Sequence, residues 1–235
     1  MKTEITLDGK KIQALIGKPL IDVASDHGVY IPSLCYMRGK PCLGTCRVCS
    51  VRVNGHVMAS CTVPVYEGME VEVDTPDLVD MRKALVEFLF VEGNHNCPSC
   101  EKSGRCELQA VGYETGMMVS RFPYRFPVRT RDHASKYIWL ERDRCIFCQR
   151  CVEFIRDEET GQKIFSIDKR STHASIEIDV KLADKMTPKQ VKRAADICPV
   201  GCIIDKDLGF NKPIGERKYE IKSIKERILK GKTNE

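Results

Sequence analysis

Hydrophobic positions near the N-terminus alternate with polar positions and are separated by turn residues. Residues 5–15 alternate in this way on both sides of an Asp-Gly dipeptide, which favours a β-hairpin. The apolar residues within 19–25 suit a short helix, and residues 50–57 suit another strand with an Asn-Gly turn. Val71 and Val73 complete the sheet. Strands arranged around one helix predict a β-grasp fold.

A longer helix is predicted directly after this sheet. Residues 75–77 place a threonine at the cap, a proline at the first helical position and an acid in the first turn. Apolar residues recur at helical spacing within 78–89. Because residues 93–94 are Gly-Asn, the helix ends there and leads into the segment that begins at His95.

The second half of the chain combines an extended segment with a mixed α and β pattern. Residues 120–132 contain two Phe-Pro pairs, which disfavour helix and indicate an extended interdomain strap. Residues 137–140 and 175–178 are predicted strands, and residues 187–196 are a predicted capped helix. Residues 219–229 are basic and compatible with a helix. The strands and the capped helix are typical of a ferredoxin-like unit.

The predicted fold class is α+β, with small modules in place of one large domain. Metal-bound cysteines can stabilise domains well below a hundred residues. The modules are an N-terminal β-grasp ferredoxin-like domain, a small helical domain and a C-terminal ferredoxin-like α+β domain. The predicted boundaries are 1–76, 77–119, a strap at 120–135, 136–210 and a basic C-terminal segment at 211–235.

Composition indicates metal or redox chemistry inside the cell. The chain of 235 residues has 13 cysteines, an odd number. No apolar segment of the kind found in a signal peptide or membrane span is visible, so we expect a cytoplasmic location and no membrane insertion. Cytoplasmic thiols stay reduced, which favours ligation over disulfides. The net charge of +5 is mild and fits a solvated surface better than nucleic-acid binding.

The first cysteine group suits a [2Fe-2S] centre. Its predicted ligands are Cys35, Cys46, Cys49 and Cys61. Such a centre takes four thiolates, commonly from one loop and a distant fourth cysteine. Gly39 and Gly44 allow positive φ angles that turn backbone N–H groups toward the sulfurs. The alternative is a zinc knuckle that includes Cys42, but only one cysteine pair has the short zinc spacing. Cys42 is therefore expected to be a spare thiol near the cluster.

The second group suits a [4Fe-4S] cluster with mixed ligands. Cys97, Cys100 and Cys106 supply three thiolates, and His95 is the nearest candidate for the fourth iron. An isolated histidine is usually a surface or capping residue. A histidine beside three cysteines is instead expected to be a ligand, and it would make the site one charge less negative than four thiolates do.

The third group contains the C-x2-C-x2-C pattern of bacterial ferredoxins. Its predicted ligands for a [4Fe-4S] cluster are Cys145, Cys148, Cys151 and the distant Cys198, which precedes a proline. A two-cluster ferredoxin would have another cysteine four residues after Cys151, where this chain has Ile155. One cluster is therefore expected in this domain, and Cys202 is expected to be a buried apolar residue.

With these three groups the chain closely resembles the small iron-sulfur subunit of the diaphorase half of soluble NAD-reducing [NiFe] hydrogenases. The resemblance covers nearly the whole length. It rests on four motifs, YIPSLCY at 30–36, PCLGTCRVCS at 41–50, NHNCPSC at 94–100 and CIFCQRC at 145–151. The order of modules is also similar to the N-terminal part of the large iron-sulfur subunit of respiratory complex I and to accessory domains of iron-only hydrogenases.

The resemblance implies an electron-transfer subunit with no catalytic residues of its own. It implies a partner that carries FMN and the NAD site, and on the other side a hydrogenase pair that carries the [NiFe] centre. By analogy with complex I, the [2Fe-2S] centre lies toward the flavin, the Cys145 cluster in the middle and the His95 cluster toward the hydrogenase. One departure is that His95 precedes its cysteine by two residues, whereas complex I relatives have four. No nucleotide-binding glycine motif is present, which agrees with nucleotide chemistry elsewhere.

Two of three alternatives remain open at the level of sequence. An iron-only hydrogenase is excluded because the chain is too short to include its catalytic domain. A relay subunit of a complex I-like or NAD-dependent formate dehydrogenase assembly would have the same clusters, and only its co-purifying catalytic partner distinguishes it. A zinc-rich nucleic-acid-binding protein would account for the cysteines and the basic C-terminal segment, but the thiol triplets suit iron better.

Metal analysis of the purified protein separates iron from zinc. We expect a brown protein with about ten irons per chain, the number in two cubanes and one diiron centre. A colourless protein that contains zinc would contradict this prediction.

Overall fold

The computed structural model describes residues 1–231. The strands are β1 (Lys2–Leu7), β2 (Lys10–Leu15), β3 (Ser50–Val53), β4 (His56–Ala59), β5 (Glu70–Glu72), β6 (Arg131–Asp132), β7 (Ile138–Glu141), β8 (Phe165–Asp168), β9 (Ser175–Ile178) and β10 (Ile203–Asp205). The helices are α1 (Leu20–Asp26), α2 (Pro76–Val91), α3 (Glu107–Glu114), α4 (Arg150–Phe154), α5 (Val180–Ala183), α6 (Pro188–Ile197), α7 (Lys218–Ile221) and α8 (Ile224–Leu229). Both element types occur throughout, which confirms the α+β class.

The N-terminal strands form a mixed sheet in the order β2-β1-β5-β3-β4. β1 and β2 are an antiparallel hairpin, and Asp8 and Gly9 at its turn have positive φ angles, as a tight hairpin turn requires. β1 pairs in parallel with β5, which is possible because α1 and the β3–β4 hairpin intervene in the chain. α1 is buried along most of its length. This arrangement confirms the predicted β-grasp fold.

The helix α2 begins where the sequence predicts, but its cap differs. Pro76 occupies the first turn and Thr75 precedes it in an extended conformation. The Thr75 side chain makes no capping bond, and its hydroxyl donates to an Asp77 carboxylate oxygen at 2.7 Å. The predicted capping role of Thr75 is therefore wrong in detail, because the neighbouring acid competes for the hydroxyl.

A buried arginine attaches α2 to the N-terminal sheet. The Arg82 guanidinium donates to the Val73 carbonyl at 2.7 Å and to the Asp74 carboxylate at 2.8 Å. It also donates to the Ser50 carbonyl at 3.3 Å. Because Ser50 follows Cys49 directly, this contact connects α2 to the first cysteine loop.

The ferredoxin-like unit contains the predicted strands and helix. Its sheets have the order β10-β7-β6 and β8-β9, and both are antiparallel. The helix α6 starts with a capping box, in which the Thr187 hydroxyl accepts from the Gln190 N–H and the Gln190 side chain accepts from the Thr187 N–H. The helix ends at Ile197 and so presents Cys198 and Pro199 at its C-terminus.

The predicted strap has no regular structure before β6 and crosses the surface. It is not extended throughout, since Phe126 has a φ of 46°. Its contacts compensate for that local strain. The Asn94 side chain donates to the Pro127 carbonyl at 2.7 Å, and the Arg129 N–H donates to an Asp143 carboxylate oxygen at 2.6 Å.

Buried apolar residues form two cores in the described part of the chain. One core lies between the N-terminal sheet and α1. The other is continuous through the helical segment, the ferredoxin-like unit and α8, and its fully buried members include Leu108, Leu140, Phe165 and Ala194. The helical segment thus shares its core with the following unit. The predicted boundaries between these modules stay a prediction.

The basic C-terminal segment packs on its own chain. The predicted single helix is divided into α7 and α8, because Lys222 is extended and Ser223 caps α8 by accepting from the Glu226 N–H. The Tyr219 N–H donates to the Gly104 carbonyl at 2.8 Å, and Ile224 is only 4% exposed in the second core. Residues 232–235 of the predicted segment lie outside the described residues. Among the described helices, none is both long and apolar enough to cross a membrane.

Replacement of Ile224 by alanine tests this packing. We expect Ile224→Ala to destabilise the chain by about 2 kcal/mol, through lost burial and an incompletely filled cavity. That change corresponds to a Tm lower by about 4 to 8 °C in thermal unfolding of the purified chain. The matched control is Ile221→Ala, which removes the same atoms from a side chain that is 61% exposed and should leave Tm within about 1 °C. Equal shifts in the two variants would contradict the docking of α8.

Candidate functional site

The first cysteine group gathers around one loop end of the β-grasp sheet. Cys49 precedes β3 and Cys61 follows β4, so the β3–β4 hairpin brings the two sulfurs to 3.3 Å from each other. Cys35 lies within hydrogen-bonding reach of Cys46 and Cys61. A hydrogen bond joins the Cys49 and Cys61 thiols, and this interaction lowers the pKa of Cys49 to about 7. The four predicted ligands are therefore neighbours in space.

Cys42 joins this group from its solvent-exposed side. It lies within hydrogen-bonding reach of Cys61 and of the Gly44 N–H, while burial of its sulfur raises its pKa. The structure thus places Cys42 beside the predicted ligand thiols, and its role as a spare thiol stays a prediction. Its exposure distinguishes it from the buried residues Cys35, Cys49 and Cys61.

The loop between Cys35 and Cys49 depends on residues with positive φ. Gly39 and Gly44 have φ angles of 73° and 64°, as the sequence predicted. A Cβ on Gly44 would lie 2.9 Å from the Thr62 methyl, so a side chain would also be crowded there. Arg47 has a φ of 58°, which is uncommon for a residue with a side chain and is typical of strained functional loops. No sequence pattern indicated this conformation for Arg47.

The second cysteine group lies between α2 and α3. Cys97 begins a short 3-10 turn and Cys100 follows it, and Cys106 precedes α3. The Cys106 sulfur accepts the Gln109 N–H at 3.4 Å, in the position of a helix cap. Burial raises the pKa of Cys106 to about 12. A buried thiol of this kind ionises only when a cation or metal compensates its charge.

His95 stands two residues before Cys97, and one nitrogen of its ring is unused. Its Nε2 is buried and has no hydrogen-bond partner among residues 1–231. Burial lowers the pKa of His95 to about 4, with the Leu89 carbonyl opposing the shift. A Cβ on Gly93 would lie 2.5 Å from Nε2, so glycine is needed to leave room for the ring. The Phe90 ring packs edge-on against the imidazole.

The third cysteine group lies between a 3-10 turn and the helices α4 and α6 of the ferredoxin-like unit. Cys145, Cys148 and Cys151 follow one another up to the start of α4, and Cys198 follows α6. The Phe147 N–H donates to the Cys145 sulfur at 3.4 Å. Phe147 and Gln149 have φ angles of 54° and 64° without being glycines. Such alternating conformations turn successive N–H groups toward an anion.

Cys202 is buried, as predicted, and it also contacts two predicted ligands. Its thiol lies within hydrogen-bonding reach of Cys145 and Cys198. The hydrogen bond from Cys202 lowers the pKa of Cys198 to about 6 and lowers that of Cys145 as well. The sequence reasoning treated Cys202 only as an apolar residue, because its spacing did not match a ligand position.

The third group lies between the other two. The Thr45 hydroxyl, next to Cys46, donates to the Cys148 carbonyl at 3.3 Å. On the other side the Cys106 thiol donates to the Pro199 carbonyl at 3.5 Å. A Cβ on Gly201 would lie 2.6 Å from the Cys100 sulfur, so the second and third groups approach closely there. The Thr45 and Cys106 contacts connect segments about a hundred residues apart in the chain.

Four basic side chains surround these groups, and sequence reasoning missed all of them. They contact backbone carbonyls at or near the cysteines, and they are Lys102, Arg129, Arg144 and Arg150. The Lys102 ammonium donates to the Ala195 carbonyl at 2.6 Å and is buried, which lowers its pKa. Arg144 also pairs with Glu101 at 2.7 Å. Arg144 directly precedes the third cysteine run and Arg150 lies within it, which was an available signal. Their charges compensate thiolates and the cluster they bind.

The thiols are free and are not arranged for a single ion. All thirteen cysteines are unpaired. Within residues 1–231 no group of three or more cysteine, histidine or acidic side chains is placed to hold one metal ion. An iron-sulfur cluster binds its thiolates through different iron atoms, so its ligands need not converge on one point.

Three family models match successive parts of the chain. A 2Fe-2S iron-sulfur cluster binding domain matches residues 1–76, and the NADH-ubiquinone oxidoreductase-G iron-sulfur binding region matches residues 82–121. The ferredoxin-like domain of NADH-quinone oxidoreductase subunit 3 matches residues 135–204. Fold and matches together define a multi-cluster iron-sulfur protein with [2Fe-2S] and [4Fe-4S] domains.

Full-length relatives narrow this class. The chain is 68% identical over 231 residues to the gamma chain of the NAD-reducing hydrogenase HoxS of Cupriavidus necator, with 98% of this chain and 99% of the relative covered. It therefore belongs to the family of the gamma chains of NAD-reducing hydrogenase. The fold is also similar to a chain in the crystal structure of NAD+-reducing [NiFe]-hydrogenase in the H2-reduced state, with a TM-score of 0.88, 35% identity and coverage of 98% and 99%.

More distant relatives are longer proteins. The G chain of NADH-quinone oxidoreductase from Rickettsia conorii is 30% identical over 93% of this chain, and the chain spans 32% of that relative. The 78 kDa subunit of mitochondrial NADH-ubiquinone oxidoreductase of Neurospora crassa is 30% identical over 94% of this chain, which spans 29% of it. The chain thus corresponds to about a third of these proteins.

Proposed function

We propose that this chain relays single electrons between a subunit that carries FMN and the NAD site and a [NiFe] hydrogenase module. The assembled enzyme would convert H2 and NAD+ to NADH and a proton. When bound, the clusters supply one-electron carriers, and the chain itself supplies their ligands and surroundings. The observation that carries the proposal is the placement of the third cysteine group between the other two, with direct contacts on both sides.

The proposed ligands are those that the sequence predicted. They are Cys35, Cys46, Cys49 and Cys61 for [2Fe-2S], His95, Cys97, Cys100 and Cys106 for one [4Fe-4S] cluster, and Cys145, Cys148, Cys151 and Cys198 for the other. Buried sulfurs, N–H groups directed at them and nearby cations support these sets. Residues 1–76, 77–119 and 136–210 would be the three cluster-binding modules.

The role of His95 is supported by its unused nitrogen. A buried, unpartnered ring nitrogen costs free energy unless it binds a proton donor or a metal. Nε2 is in this condition within the described residues, and His95 stands two residues before Cys97 in a group that has only three thiols. An iron that lacks a fourth thiolate would satisfy it.

The middle place of the Cys145 site is supported by contacts on both sides, and the order of the two outer sites is proposed by analogy with complex I. The [2Fe-2S] site would face the flavin subunit and the His95 site the hydrogenase, with the Cys145 site between them. Carbonyl contacts at Cys148 and Pro199 fix the two outer loops against the central one.

We also propose that the assembly works in the cytoplasm, where free thiols of this number stay reduced.

Replacement of His95 tests the second ligand set. We expect His95→Ala to lose or convert this cluster, lowering iron by up to about four atoms per chain and changing the low-temperature EPR spectrum of the reduced complex. His95→Cys should restore a cubane signal. The matched control His56→Ala removes an exposed imidazole and should change neither measurement. Unchanged iron and EPR in His95→Ala would remove His95 from the site.

Isolation of the assembled enzyme tests the function. The tagged chain, purified from its host, is expected to bring with it FMN, nickel and H2-dependent NAD+ reduction. A purified complex that lacks nickel and oxidises formate would show that the chain belongs to a formate dehydrogenase assembly. A membrane-bound quinone reductase would show that it belongs to a complex I-like assembly. Absence of any redox partner would overturn the proposal.

A cysteine pair then tests the relay within that complex. Cys46→Ser should lower H2-dependent NAD+ reduction more than tenfold, while H2-dependent dye reduction and NADH-dependent dye reduction persist, because each half retains its own catalytic centre. Cys42→Ser, in the same loop, should retain the coupled rate. A full coupled rate in Cys46→Ser, together with a lost [2Fe-2S] signal, would contradict the proposed order.

A further inference from the structure

The guanidinium of Arg150 occupies the junction of the three cysteine groups. Arg150 is the first residue of α4 and is 2% exposed. Its Nη2 donates to the Tyr36 carbonyl at 2.9 Å, and its Nη1 lies 3.0 and 2.9 Å from the two Glu107 carboxylate oxygens. Nη1 also donates to the Ile197 carbonyl at 3.4 Å. Three separate segments therefore meet on one side chain.

Each partner of Arg150 is the direct neighbour of a proposed ligand. Tyr36 follows Cys35, Glu107 follows Cys106, and Ile197 precedes Cys198. Arg150 itself precedes Cys151. A shift of this guanidinium would therefore be transmitted to cysteine loops of all three groups. The planar fork of arginine provides several donors in fixed directions, which the single ammonium of lysine cannot reproduce.

The position also places a permanent charge among the sulfurs. Arginine stays protonated in proteins even when buried. The thiolates of Cys35 and Cys148 are among the charges that stabilise its protonated form, so both lie close enough to interact with it. Glu107 compensates part of this charge, and the Arg150 Nε is buried without a hydrogen-bond partner in the described chain.

We propose that Arg150 is a positioning residue that fixes the three cysteine loops against one another. Its positive charge raises the reduction potentials of both the Cys35 site and the Cys145 site. This rests on the proposed function. A nearby positive charge stabilises the reduced, more negative form of a cluster, and burial keeps solvent from screening it. Glu107 acts in the opposite direction on the same sites.

Redox titration of the complex purified with its partner subunits tests this role. EPR follows the reduction of each cluster, and iron analysis counts the clusters retained. In Arg150→Met, the equilibrium constants for reduction of the Cys35 and Cys145 sites should fall about tenfold, which is 59 mV for a one-electron couple. Arg150→Lys should shift them less, because it keeps the charge. Arg142→Met is the matched control, since Arg142 is also buried but donates to the Ile176 and Thr130 carbonyls.

Glu107→Gln keeps the test decisive if Arg150→Met loses its clusters. Removal of this carboxylate leaves Arg150 in place, so both potentials should rise. Potentials in Arg150→Met equal to those of Arg142→Met with all iron retained would overturn the electrostatic role. If Arg150→Met loses iron, unchanged reduction potentials in Glu107→Gln would overturn the electrostatic role. The reduction potentials are measured on the clusters themselves. Unchanged potentials in the variants would therefore contradict the role of Arg150 even if the wild-type complex reduces NAD+ with H2. A wild-type complex without that activity would contradict the proposed function even if the potentials shift.

Discussion

The buried contact between Arg150 and Glu107 joins parts of the chain that have little else in common. A buried ion pair is costly to desolvate, and it is stable only when further hydrogen bonds satisfy both charges. Here the carbonyls of Tyr36 and Ile197 accept from the guanidinium, whereas its Nε has no partner in the described chain. The energetic requirement of one charged side chain thus brings the β-grasp loop, the start of α3 and the end of α6 to the same place.

The cysteine groups also place buried charges that nearby groups must compensate. Several thiols are buried, and their burial alone opposes ionisation, as for Cys106 and Cys148. Ligand thiolates must be charged. The buried Lys102, the partly buried Arg144 and N–H groups directed at sulfur reduce that cost. The chain therefore forms an environment suited to anionic groups before any partner subunit is considered.

Backbone strain is also located at the cysteine groups. Arg47, Phe147 and Gln149 have left-handed conformations that glycine would adopt at lower cost. All three lie within cysteine runs, next to the sulfurs. Hydrogen bonds and packing across the groups, such as the bond from Thr45 to the Cys148 carbonyl, compensate for such strain. A loop whose conformation is fixed in this way holds its ligands in one arrangement, which limits reorganisation.

The sequence by itself determined the local features of this protein. Cysteine spacing identified three groups because ligands of one cluster come mostly from one loop, and periodicity located most strands and helices because those patterns depend on near neighbours. Tertiary structure alone decided how distant segments meet. The core shared by α3 and α6, the docking of Ile224, the contacts of Cys202 and the junction at Arg150 all join residues far apart in the chain. No local pattern encodes such contacts, since they depend on the packing of whole elements.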